Sequence, residues 1–559
     1  MGHAEDERLT PVVARDLCQR VGSKAVLAGT ISSIGTHYVI GLSAWNCRSG
    51  DTLAYEQVEA DSREHVLKAL GESARNMRRK LGESLASIQK YDAPLEQVTT
   101  TSLEALKAYS LGIKSRSTMG DTPAIPFFRR AVELDPKFAM AYSRLGTYYG
   151  NVGEAALSVE NLRKAYELRD RVSEGERFYI VSHYYHIGIG DWEKALEVYE
   201  LWHQTYPQDP ISLDNMADIH HGLGKCERAL QELKELLRMD PNFLDPYYRL
   251  FSVYLCLNRM EEAETALMQA EQRKLGSQVL RATCRYELAF LKRDAVEMEG
   301  SIAAAAGSAE PGSNDLVFIR SDTEAYYGHL ARARDFWWRA ADSARPKAVD
   351  VRAALWMTSA ALREAEFGNA AAARREAAAA LAIGSGPTVE ALAALALARA
   401  GSVAQAERLT ADLSKHFPAN TMLQDYWLPA IRAATELSLK NPRRSIELLK
   451  PAASYELGQL NLLPEGMMYP VYLRGQAYLL THQGPEAAAE FQKLIDHPGI
   501  VLNFPLGALA HLQLGRAYAL QGDTAKARAA YQDFFILWKD GDPDIPILIA
   551  AKSEYAKLR

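Results

Sequence analysis

A small residue recurs along most of the chain at intervals of 32 to 42 residues, each time within a segment of helical periodicity. The stretch FAMAYSRLGTYYG shows the pattern that precedes it, with offsets of three, four and seven between Tyr142, Leu145, Gly146 and Tyr149. These offsets place all four residues on one face of an α-helix, because each residue turns the helix by about 100°. Gly146 leaves a notch between large side chains, and the next stretch, AALSVENLRKAYEL, supplies a second helix to fill it. The sequence therefore predicts a helical hairpin as the repeating unit.

The hairpin pattern is found about twelve times. The recurring small residue of the second helix is, in chain order, Ala124, Ser158, Ala195, Ala229, Ala263, Ala295, Ala333, Ala373, Ala406, Ser445, Ala487 and Ala527. A period near 34 residues with aromatic-x2-Leu-Gly-x2-Tyr, then Ala-x3-Phe, then Pro resembles the tetratricopeptide repeat (TPR). The resemblance covers roughly residues 102 to 559 and implies a mainly α fold, a right-handed α-solenoid of TPR-like helical hairpins.

The match to the repeat pattern is uneven along the chain. In its stronger first half the signature includes Pro241, Tyr247, Leu250 and Tyr254, with Phe251 in the place of the small residue. The last clear unit has Gly515, Tyr518 and Ala527 in register. Between these units the spacing loosens toward 40 residues. We therefore predict a regular TPR array at 102–275 and degenerate TPR-like helical repeats at 276–559.

The first ninety residues are different in kind. Three segments rich in β-formers, KAVLAGTISSIG, THYVIGLSAWNC and TLAYEQVEAD, predict a meander of three strands, and a helical segment lies on either side of them. We predict a small α/β domain at 1–91 and a linker at 92–101. Since the chain begins directly in the first helix, we expect this domain to be truncated and to lack its opening strand.

This arrangement resembles the non-catalytic C-terminal region of bacterial serine/threonine protein kinases. The resemblance rests on KAVLAGTISSIGTHYVIGLSAWNCRSGDTLA, then LGESLASIQKYDAPLEQVTTTSLEALKAYSLG, then the array of repeats. It implies a sensor or scaffold portion without an output domain. The kinase chemistry itself is missing from the sequence, because no Gly-rich loop with a following strand Lys, no His-Arg-Asp and no Asp-Phe-Gly element is present. The nearest candidate, ARDFWW, has Trp337 where the last glycine belongs.

The overall charge argues against nucleic acid as a partner. The formal net charge is −6 over 559 residues, whereas a duplex binder needs a concentrated basic face. The one basic cluster, RNMRRK, with Arg75, Arg78, Arg79 and Lys80, fits the solvated side of an amphipathic helix. No apolar run reaches the roughly 20 residues of a membrane span.

Cysteine usage indicates a reducing compartment. The five cysteines, Cys18, Cys47, Cys226, Cys256 and Cys284, form no CxxC pair and lie in helical or strand patterns. We read them as buried thiols, neither a disulfide framework nor a zinc site. The polar and acidic opening MGHAEDERLTP does not resemble a signal peptide. We therefore expect a cytoplasmic protein.

The sequence contains two close histidine pairs, His183 with His186 and His220 with His221. His183 and His186 stand one helical turn apart, but no third ligand is placed beside them by a motif and HExxH is absent. His220 holds the register position of Tyr149, which predicts a core residue. The sequence thus predicts no metal, no cofactor and no catalytic residue.

The remaining mode of action is binding by surface. In TPR arrays the first helices line a concave face, on which peptides and partner segments dock. By register the partner-binding candidates are Asp214, Asp218 and His221 in one unit and Tyr248, Ser252 and Leu255 in the next. Two carboxylates one turn apart favour a partner segment that carries Lys or Arg, or they merely keep an exposed helix soluble.

Three classes of function follow from these observations. The preferred hypothesis is a non-enzymatic protein–protein interaction scaffold or sensor in bacterial signalling. The second is the separated sensor half of a serine/threonine protein kinase whose catalytic domain is missing from this chain. The third, an enzyme with an unrecognised site, has no carboxylate pair, nucleophile and base, or metal constellation to support it. The sequence indicates neither the identity of the partner nor the oligomeric state.

Overall fold

The β-formers near the start of the chain pair into one antiparallel sheet. Its strands are β1 Ala25–Ile34, β2 His37–Asn46 and β3 Thr52–Ala60, in the order β1-β2-β3. Gly35 and Gly50 lie in the two turns with φ of 63° and 80°, which a glycine adopts at little cost. The predicted three-strand meander is confirmed.

The computed structural model describes residues 10–20, 23–83, 100–239, 246–273, 275–306, 315–344, 350–458 and 468–558. Pro241 of the repeat signature and most of the predicted linker lie outside these residues. The chain divides into two units, Met1–Gly188 and Ile189–Arg559. Among the described residues, none of the helices has the length and apolar character needed to cross a membrane.

The first unit contains the sheet and the first helical hairpins. Its helices are α1 Pro11–Arg20, α2 Val66–Lys80, α3 Leu103–Met119, α4 Asp121–Leu134, α5 Ala139–Asn151, α6 Ala155–Glu167 and α7 Glu174–His183, with 3₁₀ turns at Arg63–His65 and Arg169–Arg171. The apolar face of α2 covers the sheet, with Val66 and Ala69 packed near Ile40 and Met77 near Ala44. The helices α3 and α4, and likewise α5 and α6, pack as antiparallel pairs.

The notch at Gly146 is filled as predicted. A Cβ atom added at Gly146 would lie 2.7 Å from Cγ of Leu162 and 2.9 Å from its main-chain nitrogen. Gly112 has the same role in the preceding hairpin, where a Cβ would lie 2.7 Å from the ring of Phe128. In both hairpins the absence of a side chain lets the second helix approach the first.

The second unit consists of helices throughout the residues described. They are α8 Trp192–Thr205, α9 Pro210–Gly222, α10 Cys226–Met239, α11 Pro246–Cys256, α12 Met260–Gln272, α13 Gln278–Lys292, α14 Ala295–Ala306, α15 Asp315–Tyr326, α16 Leu330–Ala344, α17 Asp350–Glu366, α18 Ala370–Ile383, α19 Pro387–Arg399, α20 Val403–His416, α21 Leu428–Ser438, α22 Pro442–Leu448, α23 Tyr469–Leu480, α24 Gly484–Asp496, α25 Pro498–Val501, α26 Leu506–Leu520, α27 Thr524–Leu537 and α28 Pro546–Lys557. A short π-helical turn at Leu423–Trp427 and a 3₁₀ turn at Pro451–Tyr455 also belong to this unit, and another π-helical turn, Tyr184–Ile189, spans the boundary between the two units in the sequence. The mainly α fold of TPR-like hairpins is confirmed.

The recurring small residues mark the contact between the two helices of a hairpin. Ala229, Ala263 and Ala527 are buried. The aromatic and leucine positions Tyr247, Leu250 and Tyr254 are buried as well, as are Leu145 and Tyr149. Tyr142 and Tyr518 are partly exposed, and Gly515 is buried.

One register assignment is wrong. Ala295, predicted to be the small residue of its hairpin, is exposed at the start of α14. The buried positions of that helix are Ser301 and Ala305 instead. An alanine-rich helix offers several equivalent small residues, so the pattern alone did not fix which of them faces the first helix.

Later hairpins of the second unit contact earlier ones, which the repeat pattern did not predict. The main-chain N–H of Thr421 donates to the oxygen of Gly190 at 2.9 Å, and the side-chain amide of Asn503 donates to the oxygen of Ile319 at 2.7 Å. The indole N–H of Trp538 likewise donates to the oxygen of Tyr326 at 2.9 Å. The second unit therefore folds back on itself at intervals of about two hundred residues.

Candidate functional site

The candidate site is a cavity of about 490 Å³ on the first helices of four consecutive hairpins in the second unit. Its lining residues are Arg399 of α19, Leu437 and Ser438 of α21, Gln476, Leu479 and Leu480 of α23, and Gln513, Arg516 and Leu520 of α26. Offsets of three and four within α23 and α26 put these side chains on one face of each helix. The second helix of each hairpin packs against its own first helix.

Leucines supply most of the apolar surface at the site. Leu480 is 57% exposed and Leu520 is 38% exposed, although both lie next to a concave surface. An apolar side chain of a ligand that covered them would be stabilised by about 25 cal/mol for each Å² removed from water. The cavity can therefore hold an apolar side chain.

Arginines and amides supply the polar part of the site. Arg399 donates two hydrogen bonds to Glu366 at 2.7 Å, and Arg516 donates two to Glu554 at 2.8 and 2.9 Å. Each of these bidentate pairs joins one first helix to a neighbouring helix, which fixes the plane of the guanidinium group. The paired charges leave the lining close to neutral.

The amide of Gln513 is also held in place. Its nitrogen donates to the hydroxyl oxygen of Tyr472 at 3.0 Å. Burial raises the pKa of Tyr472, so this phenol stays neutral at physiological pH. The side-chain oxygen of Gln513 accepts from Arg516 Nη1 at 3.3 Å, and the side chain is buried, so Gln513 helps to hold Arg516 and Tyr472 in place.

The groove predicted from the sequence lies elsewhere in the second unit, and its two acidic residues already form ion pairs within the chain. Asp214 and Asp218 on α9 both form ion pairs with Arg249 on α11, the Arg249 Nε to Asp214 Oδ1 distance being 3.5 Å. On α11 the hydroxyl of Tyr248 donates to the oxygen of Leu275 at 2.6 Å. The hydroxyl of Ser252 donates to the oxygen of Tyr248 within the same helix. These side chains thus have partners inside the chain.

Two of the predicted groove residues do not face an open groove. His221 and Leu255 are buried, which corrects the prediction that they point to a partner. The physical reason is that later parts of the chain lie against them. A Cβ atom on Gly458 would lie 3.0 Å from the oxygen of Gly222, and Gly499 lies against the main chain of Leu255.

Burial also decides the chemistry of the histidines. It lowers the pKa of His221 to about 4, so the ring is neutral at physiological pH. His220 is in the core, as its register predicted, and its Nδ1 lies 2.8 Å from Oε2 of Glu232. His183 and His186 are buried in the first unit. Within the described residues, no group of three or more His, Cys, Asp or Glu side chains is arranged to hold a metal ion.

The cysteines correct another expectation, since four of the five are paired. Disulfides join Cys18 to Cys47 and Cys226 to Cys256, with Cα atoms 5.7 and 6.4 Å apart, and Cys284 is a buried free thiol. The pairs are about thirty residues apart in the chain, so no short spacing revealed them. Cys226 begins α10 and Cys256 ends α11, and adjacent helices bring these two ends together.

The lining residues of the cavity were missed by the sequence reasoning. A signal was present, because Leu479 and Leu480 in α23 and Arg516 and Leu520 in α26 extend beyond the buried stripe of their helices. Asp214 and Asp218 in an earlier hairpin gave the stronger sequence signal, because a pair of charges is easier to recognise in a sequence than an apolar surface.

Comparison with known proteins supports the repeat assignment in one hairpin. The family model described as tetratricopeptide repeat matches residues 509–535. This range covers most of α26 and α27, the hairpin that contributes Gln513, Arg516 and Leu520 to the cavity. No significant match was found among curated protein sequences.

Similar solved structures include three helical proteins. The crystal structure of PilW, a widely conserved type IV pilus biogenesis factor, is 15% identical and covers 38% of this chain and 99% of its own, with a TM-score of 0.30. The structure of yeast Tom70 is 14% identical over 81% of this chain and 95% of its own, with a TM-score of 0.30. The Cut9–Hcn1 hetero-tetramer of APC/C is 14% identical over 82% and 94%, with a TM-score of 0.30.

Likeness at this level carries no information on function. The chain is a helical repeat protein in which residues 509–535 match the model of the tetratricopeptide repeat.

Proposed function

We propose that this chain is a non-enzymatic protein-interaction scaffold that binds an extended segment of a partner protein in the cavity on α19, α21, α23 and α26. The observation that carries the proposal is the cavity itself, an apolar surface with fixed amide and guanidinium groups on the first helices of consecutive hairpins. First helices of TPR-type arrays are the usual docking surface for such segments. The mild net charge of −6 supports a protein partner in preference to nucleic acid.

The lining favours a partner segment that presents both an apolar side chain and main-chain polar groups. Leu479, Leu480 and Leu520 suit a leucine-like side chain of the partner. Gln476 is partly exposed and suits the partner's main chain, since a side-chain amide can donate to a carbonyl and accept from an N–H. Because Arg399 and Arg516 already have carboxylate partners, the partner segment need not be acidic.

Leu480→Glu tests the proposal. The side chain is 57% exposed, so the substitution should leave the fold intact while placing a charge against the bound segment. Ile536→Glu on α27 is the matched control, since Ile536 is 66% exposed and does not line the cavity. We expect a photo-crosslinker incorporated at position 476 to capture the same protein segment in the wild type and in Ile536→Glu, and to lose it in Leu480→Glu. Equal capture by all three proteins would overturn the assignment of this cavity.

A role in bacterial signalling is the finer part of the proposal. It is supported by the arrangement of a small α/β segment followed by repeats, which resembles the C-terminal region of bacterial serine/threonine kinases. The alternative, a sensor half separated from its kinase domain, has the same support. The reading frame immediately upstream of this chain decides between them: a kinase frame there favours the separated half, and its absence favours an independent scaffold.

The domain boundaries and the cellular location of the protein are also part of the proposal. We retain 1–91 as a small α/β domain, 92–101 as a linker, 102–275 as the regular array and 276–559 as the degenerate repeats. We retain a cytoplasmic location as part of the proposal, whereas two disulfides are more typical of an oxidising compartment. Fractionation of the native host with a thiol count on the isolated protein tests the location directly.

A further inference from the structure

A second polar cluster lies on the first helices of the first unit, whereas the leucine-lined cavity belongs to the second unit. It contains Tyr109 of α3, Arg144 and Tyr148 of α5, and Tyr179 and His183 of α7. Arg144 Nη1 donates to the hydroxyl of Tyr179 at 3.0 Å, and its guanidinium carbon lies 4.1 Å from the centroid of the same ring. The rings of Tyr179 and His183 stack with centroids 3.7 Å apart. We call these five residues the Arg144 cluster.

Among the described residues no carboxylate forms an ion pair with Arg144, although the Glu176 carboxylate acts electrostatically on Tyr109. The nearest electrostatic neighbours of Arg144 are the phenols of Tyr179, Tyr109 and Tyr148. Its Nε is buried and, within the described part of the chain, has no hydrogen-bond partner. A guanidinium group removed from water without an anion is costly, because neutral dipoles replace only part of its hydration.

Arginines at comparable places in the second unit are paired differently. Arg249 reaches Asp214 and Asp218, Arg363 reaches Asp322, and Arg399 reaches Glu366, each on a neighbouring first helix. At Arg144 the neighbouring first helix presents a tyrosine instead. The contrast singles out Arg144 as a cation whose counter-ion is not supplied by the described residues.

The rest of the cluster offers hydrogen-bond donors and no negative charge. Burial raises the pKa of Tyr148 to about 12, and burial also raises the pKa of Tyr109, so both phenols remain protonated. Burial, together with the nearby charge of Arg144, lowers the pKa of His183 well below its ordinary value, so its ring is neutral. Although its Nε is buried, Arg144 as a whole residue is partly exposed.

We propose that the Arg144 cluster binds an anionic group, a carboxylate or a phosphoryl group, presented by a partner protein segment that lies along the first helices of the first unit. The guanidinium group offers charge-assisted hydrogen bonds to such an oxyanion, and the phenol hydroxyls add neutral donors. This site differs in chemistry from the neutral, leucine-lined cavity of the second unit, and it does not depend on binding there.

The first test asks whether Arg144 is present for stability. Arg144→Met removes the charge and keeps most of the aliphatic stem, and Arg363→Met is the matched control because Arg363 and Asp322 form a fully buried pair. By hydrogen–deuterium exchange we expect the amides of α5 to exchange no faster in Arg144→Met than in the wild type. The amides of α17 should exchange faster in Arg363→Met, because Asp322 loses its partner. Faster exchange in α5 would make Arg144 a structural residue and overturn the proposal.

The second test measures the ligand chemistry. A phage-displayed library of random dodecapeptides is selected on the wild-type protein, with counter-selection on Arg144→Met. We expect Asp or Glu at one fixed position, and a synthetic peptide with Gln at that position should bind at least ten-fold more weakly, a loss of about 1.4 kcal/mol. A peptide with phosphoserine there identifies a phosphoryl ligand if it binds tighter than the Glu peptide, and a carboxylate ligand if it binds more weakly. Selection of no peptide, or of peptides without a fixed acidic position, overturns the proposal.

Discussion

The side-chain amide of Asn258 donates to the main-chain oxygen of Asp496 at 2.6 Å, across 238 residues of sequence. Asn258 follows the first helix of one hairpin, α11, and Asp496 ends the second helix of another, α24. This hydrogen bond is one of several that join later hairpins of the second unit to earlier ones. An array with such contacts departs from a simple solenoid, in which each repeat touches only its neighbours.

Asn503 provides the test of these long-range contacts. Its buried amide donates to the oxygen of Ile319 at 2.7 Å and to Oγ1 of Thr323 at 2.9 Å. We expect Asn503→Ala to lower the free energy of unfolding by about 1–3 kcal/mol, because two buried hydrogen bonds are lost. Urea denaturation measures the change, with the exposed Gln532→Ala as the control. An unchanged midpoint would mean that the contact adds nothing to stability.

Gly146 and Gly175 form a matched pair for testing the helical notch in the first unit. A Cβ at Gly146 would lie 2.7 Å from Leu162, whereas a Cβ at Gly175 meets nothing within 4 Å. We expect Gly146→Ala to destabilise the protein by about 1–3 kcal/mol through overpacking. Gly175→Ala should be neutral or stabilising by up to about 1 kcal/mol, because alanine favours the helix. Equal melting temperatures for the two variants would contradict the close approach of α5 and α6.

The outcomes at Gly146, Ala295 and Asn503 show what the sequence can predict here. The notch depends on residues within one hairpin, so a local period was enough to find it. The register at Ala295 was misread, because an alanine-rich helix has several small residues that satisfy the same pattern. The contact of Asn503 with Ile319 joins residues 184 positions apart, and no periodicity marks such a pair. The same distance explains why His221 and Leu255 were expected to be open.

His221 predicts a dependence of stability on pH. Burial lowers its pKa to about 4 in the folded protein, against about 6.5 in the unfolded chain. The unfolded state therefore binds a proton first as the pH falls, so stability is full above pH 6.5 and declines as the pH falls toward 4.

The variant His221→Gln removes this titration. We expect its loss of melting temperature between pH 7 and pH 4.5 to be smaller than that of the wild type, as measured by thermal melts at matched ionic strength. Gln532→Ala, at an exposed position without a titratable group, provides the control. A His221→Gln profile parallel to the wild type would show that His221 is solvated.

The cysteine pairs predict a simple thiol count. Protein that is isolated without reductant and alkylated after unfolding should carry one label per chain, on Cys284. The other four cysteines should remain as the pairs Cys18–Cys47 and Cys226–Cys256. Cys226→Ser combined with Cys256→Ser should lower the free energy of unfolding by about 2–4 kcal/mol, the usual range for a lost disulfide. Five labelled cysteines in the wild type would contradict both pairs.

Arg249 forms ion pairs with both Asp214 and Asp218, so these acids are expected to contribute to stability. If Asp214 and Asp218 were open carboxylates, replacing both by Lys would leave stability nearly unchanged. Because both form ion pairs with Arg249 and are largely buried, the double replacement places three cations together. We expect it to lower the free energy of unfolding by about 2 kcal/mol or more.

A charge swap separates this pairing from other effects of the substitutions. Arg249→Glu added to Asp214→Lys and Asp218→Lys should recover part of the lost stability, and a double-mutant cycle measures the recovery as the interaction between the two helices. Urea denaturation of the four proteins gives the cycle. If the double Lys variant is as stable as the wild type, the ion pairs contribute nothing and the acids are again candidates for binding a basic partner segment. If it is unstable and Arg249→Glu restores it, the acids hold α9 to α11, and partner binding is to be sought at the leucine-lined cavity.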